Sequence, residues 1–181
     1  MKRNKFSLSH YRLQTMNFGY LTPTTWFEAL PGDSIQMRTN LLIRMLPLVA
    51  PVMHPVKVRI HNWFVPNRLI WDDWEDFITG GSDGKFEAVP PKQTLNGTVS
   101  QGTLRNYLGL PAGTYTDLYQ SFLPFRAYQL IYNEYYRDED LVEPAEIGTG
   151  SADDLTTETQ LQRVSWEKDY FTSCRPSASK G

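Results

Sequence analysis

The chain has 181 residues and a formal net charge of -2, and 40% of its residues are hydrophobic. This length and balance predict a globular protein of about one domain. A single cysteine, Cys174, excludes an internal disulfide framework, and no apolar run reaches the ~18 residues that a membrane-spanning helix needs. The first residues lack the apolar core of a signal peptide, so we expect a protein made in the cytosol.

The first 17 residues are polar and form a basic N-terminal arm. Its four cationic residues are Lys2, Arg3, Lys5 and Arg12. Little periodicity fixes a helix or a strand in this segment, so we predict an irregular structure. One interpretation is a solvated terminus, which is the usual state of a polar chain end.

Residues 18–66 carry the period-2 alternation of β-strands that have one buried face. From Phe18 to Leu30 a mixture of aromatic residues and threonines predicts a first strand at a sheet edge. Longer alternating runs from Ser34 to Leu46 and from Val56 to Val65 predict two neighbouring strands, and Pro66 ends the second. The residues that we expect in the core are Ile35, Met37, Leu41, Val58 and Ile60.

A part rich in helices and loops follows the predicted strands. Asn67 is a candidate N-cap for an amphipathic helix that ends at Gly80. The segment 82–101 is rich in Gly, Pro, Ser, Thr and Asn, which predicts a surface loop with at most a short hairpin. Thr103 to Leu108 then predicts one or two helical turns, and a further helix is one interpretation of Thr116 to Phe122.

The clearest helix pattern runs from Pro124 to Arg137, with the proline in its first turn. An apolar stripe should dock this helix on the rest of the protein, and it consists of Leu123, Ala127, Leu130, Ile131 and Tyr135. Tyr128, Tyr132 and Tyr136 recur every four residues on a second face. Because large amphipathic rings anchor interfaces, these three are candidate assembly contacts; the alternative is that they cover the local core. The acidic segment 138–159 predicts a mobile excursion.

The sequence offers no catalytic or metal-binding constellation. The residues His10, His54, His61 and Cys174 lie far apart, without the close spacing of zinc ligands. The carboxylates at positions 72, 73, 75 and 76 point around the predicted helix instead of at one ion, which favours a solvated face. We therefore predict a protein that is not an enzyme and that uses no metal or cofactor.

Four segments, in order along the chain, carry a resemblance to a known family. They are FSLSHYRL (6–13), LPGDSIQMRTNLLIRMLPLVAPVMHPVKVRIHNWFVPNRLIWDDWEDFITGG (30–81), LPFRAYQLIYNEYYRD (123–138) and DYFTSC (169–174). Together they closely resemble the major capsid protein of microviruses, which are small single-stranded-DNA bacteriophages, and within them the gokushovirus branch.

The resemblance implies a mainly β fold: a viral jelly roll, which is an antiparallel β-sandwich, with helical and loop insertions. It implies a structural subunit of a small icosahedral shell, present in the virion and assembled in the host bacterial cytoplasm. The implied partners are copies of the chain itself, other virion proteins and packaged single-stranded DNA, with no membrane. Lys2, Arg3, Lys5 and Arg12 then become candidate DNA contacts, since cations that neutralise phosphates release counterions.

We expect a single domain, with the arm at 1–17, the first jelly-roll strands at 18–66 and an insertion at 67–181. Capsid proteins of this family continue for several hundred residues beyond the DYFTSC segment, so we expect either a fragment or a truncated gene product, or partner segments that lie elsewhere. Because the later strands would be missing, we expect the inner faces of the predicted strands to be exposed. These faces carry Ile35, Leu41, Val58 and Ile60. The alternative function is a small carbohydrate- or nucleic-acid-binding β module, a monomer that binds its ligand through aromatic loop residues.

Overall fold

The computed structural model describes residues 4–167 and 169–171. The chain forms two compact units, which we call the large unit (Met1–Trp26 with Val65–Gly181) and the small unit (Phe27–Phe64). All helices and paired strands of the described residues lie in the large unit. In chain order they are a 3-10 helix at Asn67–Leu69, α1 at Trp74–Thr79, β1 at Lys92–Val99, α2 at Leu104–Tyr107, β2 at Gly113–Ser121 and α3 at Leu123–Tyr135.

Strands β1 and β2 form a two-stranded antiparallel sheet. The pairing begins with Lys92 opposite Ser121 and is interrupted once by a bulge. At the bulge Asp117 has a positive φ of 51°, and its backbone N–H donates to Asn96 Oδ1 over 2.7 Å. The sequence predicted a surface loop where β1 lies and a helix where β2 lies, and both predictions are wrong. Pairing between the two segments outweighs their weak local preference for other secondary structure.

The core of the large unit forms where α2 meets the start of α3. Helix α2 confirms the helical turns predicted from Thr103 to Leu108, and the Thr103 side chain caps its start by accepting from the backbone N–H of Asn106. The described core cluster consists of Leu104, Leu108, Phe122, Phe125 and Tyr128, with Leu21 and Leu161 packed against it. The rings of Phe122 and Phe125 stack with centroids 4.6 Å apart. Each such ring stabilises the fold by roughly 1.5–3 kcal/mol when fully buried, so the cluster fixes α2 against α3.

Helix α3 confirms the helix predicted from Pro124 to Arg137, and Pro124 lies in its first turn. The buried face differs from the predicted stripe, since the buried residues are Phe125, Arg126, Tyr128, Gln129 and Tyr132. Most of the predicted stripe is half-buried, and Tyr135 is 63% exposed. The stripe is wrong because Arg126 and Gln129 face loop backbone, whose carbonyl groups need hydrogen-bond donors when they are buried.

The segment after Pro66 forms two short helical pieces where a single helix is predicted. The backbone N–H of Asp72 donates to the carbonyl of Thr149 over 3.0 Å, outside the helix, and this contact separates the two pieces. The N-cap residue of α1 is consequently Asp73 and not Asn67. The predicted end at Gly80 is confirmed, because Gly80 adopts the left-handed conformation with φ 82°.

The chain before the small unit runs beside a later segment of the large unit. The predicted first strand, 18–30, is reduced to a single antiparallel bridge between Tyr20 and Arg163. Backbone hydrogen bonds flank the bridge, and one of them runs from Leu21 N–H to the carbonyl of Gln162 over 2.9 Å. A strand of greater length needs a continuous ladder, which these described residues do not form.

The small unit, all of whose residues are described, contains no helix and no paired strand. Every residue from 27 to 64 is exposed. The predicted core placement is therefore wrong for this chain at Ile35, Met37, Leu41, Val58 and Ile60, which are between 37% and 53% exposed. An apolar row is hidden only when a partner strand and a facing layer cover it, and the described residues supply neither. The separate expectation that Ile35, Leu41, Val58 and Ile60 are exposed when the later strands are missing is confirmed.

Candidate assembly surface and nucleic-acid contacts

Helix α3 presents a row of polar side chains to the acidic segment that follows it. At the centre of the row Arg126 Nε donates to Asp154 Oδ2 over 2.7 Å, and both side chains are at most 2% exposed. The same guanidinium donates to the carbonyls of Ile70 and Gly150, each over 2.9 Å. A buried cation is tolerated when it is both paired and hydrogen-bonded, and Arg126 meets both conditions. It therefore ties α3 to two other segments of the large unit.

The carboxylate of Asp154 organises the turn that follows it. Besides the bond from Arg126, it accepts hydrogen bonds from the backbone N–H groups of Thr156 and Thr157 and from Thr157 Oγ1, the last over 2.6 Å. Burial by itself raises the pKa of Asp154, but the hydrogen bonds from Thr157 and the charge of Arg126 outweigh it. The pKa of Asp154 is therefore lowered from its ordinary value, and the group is ionised at neutral pH.

Two amide side chains of α3, those of Gln129 and Asn133, make hydrogen bonds to the acidic segment 138–159 and to the residue that follows it. Gln129 Nε2 donates to the carbonyls of Glu158 and Gln160, over 2.9 and 3.2 Å. Asn133 makes a two-way contact with Ala145, because its Nδ2 donates to the carbonyl and its Oδ1 accepts from the N–H, each over 2.9 Å. These bonds replace the backbone partners that an irregular segment lacks.

The prediction of a mobile excursion at 138–159 is therefore wrong. Its acidic and Gly-rich composition indicates weak local structure, but α3 supplies the hydrogen bonds that hold it. Sequence reasoning missed Arg126, Gln129 and Asn133 as structural residues. The available signal was their spacing of three and four residues, which places polar side chains on one face of a helix.

Two of the three candidate assembly tyrosines are buried in the interior of the large unit. Tyr128 is 7% and Tyr132 4% exposed. The hydroxyl of Tyr128 donates to the carbonyl of Leu21 over 2.8 Å and accepts from the N–H of Gln162 over 2.9 Å. Burial raises the pKa of Tyr128, so the phenol stays protonated. Tyr128 and Tyr132 thus cover the local core, Tyr136 is half-buried, and an assembly contact at this row stays a prediction.

The four candidate DNA contacts of the basic arm have different positions. Lys2 and Arg3 lie outside the described residues. Lys5 is exposed. The guanidinium of Arg12 donates to two backbone carbonyls, one of which belongs to Tyr107 in α2. Arg12 therefore holds the arm against the helical part of the large unit, and any DNA contact of the arm stays a prediction.

Within the described ranges no three His, Cys, Asp or Glu side chains come together as a metal site. Of the carboxylates beside α1, Asp73 accepts from the hydroxyl of Ser151 over 2.5 Å. The side chains of Asp72, Glu75 and Asp76 are exposed, as a solvated face requires. Cys174 lies outside the part of the chain that the structure describes. None of the helices in that part has the length and apolar content that a bilayer crossing requires.

Comparison with known proteins identifies one family. The family model described as "Capsid protein (F protein)" matches residues 1–181. The chain is similar to capsid protein VP1 of Chlamydia phage 1, with 38% identity over 100% of this chain and 34% of the relative. VP1 of Bdellovibrio phage phiMH2K is 36% identical over 99% of this chain and 34% of its own length. VP1 of Spiroplasma virus 4 is 28% identical over 99% of this chain and 35% of its own length.

The chain thus spans about a third of the length of the curated relatives that it matches. The match nevertheless covers every part of this chain, from the basic arm through the small unit to the segment after α3. The resemblance to the gokushovirus branch of the microviruses is confirmed, and the chain belongs to the capsid protein (F protein) family.

Proposed function

We propose that the chain is part of the major capsid protein of a single-stranded-DNA bacteriophage. As a structural subunit it assembles with copies of itself, and with other virion proteins, into a small icosahedral shell in the host bacterial cytoplasm. The observation that carries this proposal is the match of a capsid family to the whole chain. Shell assembly depends on complementary surfaces and not on catalysis, so the function needs no catalytic residue and no cofactor.

We further propose that the family-length protein is a jelly roll. Residues 18–66 supply its first strands, residues 67–181 an insertion and residues 1–17 the arm. The exposed alternating runs of the small unit support this, because a two-sheet sandwich would bury their apolar rows. The relatives are about three times as long as this chain, which leaves enough residues for the remaining strands.

The DNA inside the shell is the partner proposed for the arm. Lys5, together with Lys2 and Arg3, would neutralise phosphates without reading sequence. Arg12 contributes less, because its guanidinium is bound to backbone carbonyls. Replacing Lys5 by Gln should therefore lower DNA retention in particles, whereas Arg12→Gln should chiefly lower the melting temperature. Unchanged packaging in a variant with all four residues replaced by Gln would remove the arm as a DNA contact.

Among the candidate tyrosines we propose Tyr136 as the assembly contact. Tyr128 and Tyr132 hold α3 in place from inside the large unit, while Tyr136 continues their row at the end of the helix and is half-exposed. A ring in this position offers apolar area to a neighbouring subunit at a low cost in side-chain entropy.

Electron microscopy and sedimentation of the family-length gene product test the proposed function. Closed shells that sediment far ahead of the subunit are the expected result. The alternative of a small carbohydrate- or nucleic-acid-binding module predicts a monomer at all concentrations. A persistent monomer without particles would overturn the capsid assignment.

A further inference from the structure

We propose that the N-terminal arm of one copy of the chain binds a groove on a second copy, with the side chain of Tyr11 as its anchor. We call the receiving surface the α3 groove; it lies beside the end of α3 and is lined by Tyr132, Leu161 and Val164 among others. This inference rests on the proposed function in that several copies must assemble. It uses the apolar side chains of the arm and leaves Lys5 for the DNA.

The arm carries large apolar side chains that the rest of the described chain does not cover. Their exposed fractions are 83% for Phe6, 68% for Leu8, 87% for Tyr11 and 88% for Leu13. Each aromatic side chain can bury about 150–250 Å², so the four together supply a large part of the ~800 Å² that each partner buries in a standard interface. So much exposed apolar area in eight residues indicates a surface that a partner covers.

The arm is held in place at the residues that follow Tyr11. Arg12, its neighbour, donates through Nη1 to the carbonyl of Thr24 over 2.7 Å. Further along, the hydroxyl of Tyr107 in α2 donates to the carbonyl of Thr15 over 2.7 Å. The ring of Tyr11 is therefore presented to solvent beside an anchored backbone. Such a preorganised side chain loses less conformational entropy on binding than one on a loose chain end.

The α3 groove has a size and a lining that suit a tyrosine side chain. Its volume is about 440 Å³, within the ~300–1,000 Å³ of pockets that hold small molecules. Tyr132, which is 4% exposed, lines its base, and Leu161 and Val142 add aliphatic groups. Gln160 and Ser165 add polar groups. A mixed lining of this kind accepts the apolar ring of a tyrosine and offers partners to its hydroxyl.

A second copy is the occupant that these positions favour. No described residue of the arm lines the α3 groove of its own chain, and Arg12 ties the arm to Thr24 and to α2. The groove adjoins the proposed assembly contact at Tyr136, whose carbonyl accepts from the N–H of Ser165 over 2.7 Å. An arm that binds a different surface on the next copy makes a heterologous contact. Heterologous contacts generate rings when the rotation closes, and a closed icosahedral shell contains such rings.

Sedimentation of the nuclease-treated, family-length protein over a concentration series tests the contact. Tyr11→Ser removes the anchor, and Val142→Trp places a large ring at the groove. Each change should weaken the association of subunits by about 30-fold or more, which is the loss expected for a hot-spot residue. Because both positions are exposed, melting temperatures should stay within a few degrees of wild type. Wild-type association of either variant would overturn the proposal.

A mixture of the two variants shows whether the contact joins two copies. In the mixture, the intact arm of Val142→Trp can enter the intact groove of Tyr11→Ser. Pairs held by one arm should therefore form at concentrations where neither variant associates alone. A mixture without pairs would overturn the contact between copies and would assign the arm to a surface of its own chain.

The matched controls make the same two changes elsewhere on the large unit. They are Tyr119→Ser, at a tyrosine that is 67% exposed, and Val89→Trp, at a valine that is 47% exposed. Both controls should associate like the wild type. A loss in the controls equal to that in the arm and groove variants would show that apolar area alone matters, and it would overturn the proposal.

The outcomes also separate this inference from the proposed function. Shells formed by Tyr11→Ser at wild-type concentrations would overturn the arm contact and leave the capsid function intact. Pairs that depend on Tyr11 in a protein that forms no shell would support the arm contact and overturn the capsid function. A wild-type protein that stays monomeric at all concentrations would overturn both.

Discussion

The buried pair of Arg126 and Asp154 should be highly sensitive to mutation. Asp154→Ala removes the acceptor of Arg126 Nε and of the donors on Thr156 and Thr157, and it leaves a cation buried without a counter-charge. Removing one partner of a buried pair costs about 3–5 kcal/mol. That is a large share of the ~5–15 kcal/mol by which a domain is stable. Urea denaturation should show a lower midpoint at an unchanged m value.

Two comparison variants make this prediction refutable. Asp153→Ala changes the adjacent exposed carboxylate and should alter the free energy of unfolding by no more than about 0.5 kcal/mol. Arg126→Met combined with Asp154→Ala removes the uncompensated charge, so it should recover part of the loss. Recovery stays incomplete because the carbonyls of Ile70 and Gly150 lose their donors. A loss below about 1 kcal/mol in Asp154→Ala would refute the reasoning.

The same pair predicts how stability depends on pH. Because the pKa of Asp154 is lower in the folded state, its contribution is fully present above the unfolded pKa of about 3.9. It is lost as the pH falls from there through the folded pKa. Asp154→Asn should therefore be less stable than wild type at neutral pH but should show a flatter decline below about pH 4. Parallel acid limbs for the two proteins would contradict this assignment.

Three further predictions concern other parts of the large unit. Phe125→Ala, in the core cluster, should cost about 3–5 kcal/mol in urea denaturation, and a loss under about 1 kcal/mol would place the ring outside the core. Gly80→Ala should cost at least about 1 kcal/mol, because φ is 82° and the new Cβ would lie 3.2 Å from the Gly84 backbone. Gly84→Ala, with a positive φ but open space around it, should be milder. Tyr136→Ala should lower the shell yield of the family-length protein while leaving its melting temperature nearly unchanged, whereas Tyr132→Ala should lower both. Equal losses of stability from the two changes would contradict their different roles.

The helices could be predicted from the sequence because their signals are local. Helix α3 has a long periodic pattern with Pro124 in its first turn, and α1 ends at Gly80, whose conformation a residue with a Cβ rarely adopts. The sheet could not be predicted, because β1 is a polar, Thr- and Gly-containing segment. Its pairing with β2 depends on contacts that lie about twenty residues away in sequence.

The polar contacts of α3 and the exposure of the small unit show a second limit of prediction from the sequence. Arg126 and Asp154 are 28 residues apart, and nothing in the local composition indicates that they meet. In the small unit the alternation at Val56, Val58 and Ile60 is plain, but alternation predicts only that a face can be buried and not what buries it. The family was identified from four segments in a fixed order, a signal that composition and periodicity do not contain.

Cryo-electron microscopy of particles assembled from the family-length gene product tests the central claim most directly, since it shows both the shell and the path of this chain. The account predicts a closed shell in which residues 34–46 and 56–65 are paired strands, with Ile35, Val58 and Ile60 covered by a facing sheet. The absence of particles, or a shell in which these residues stay unpaired and exposed, would contradict it.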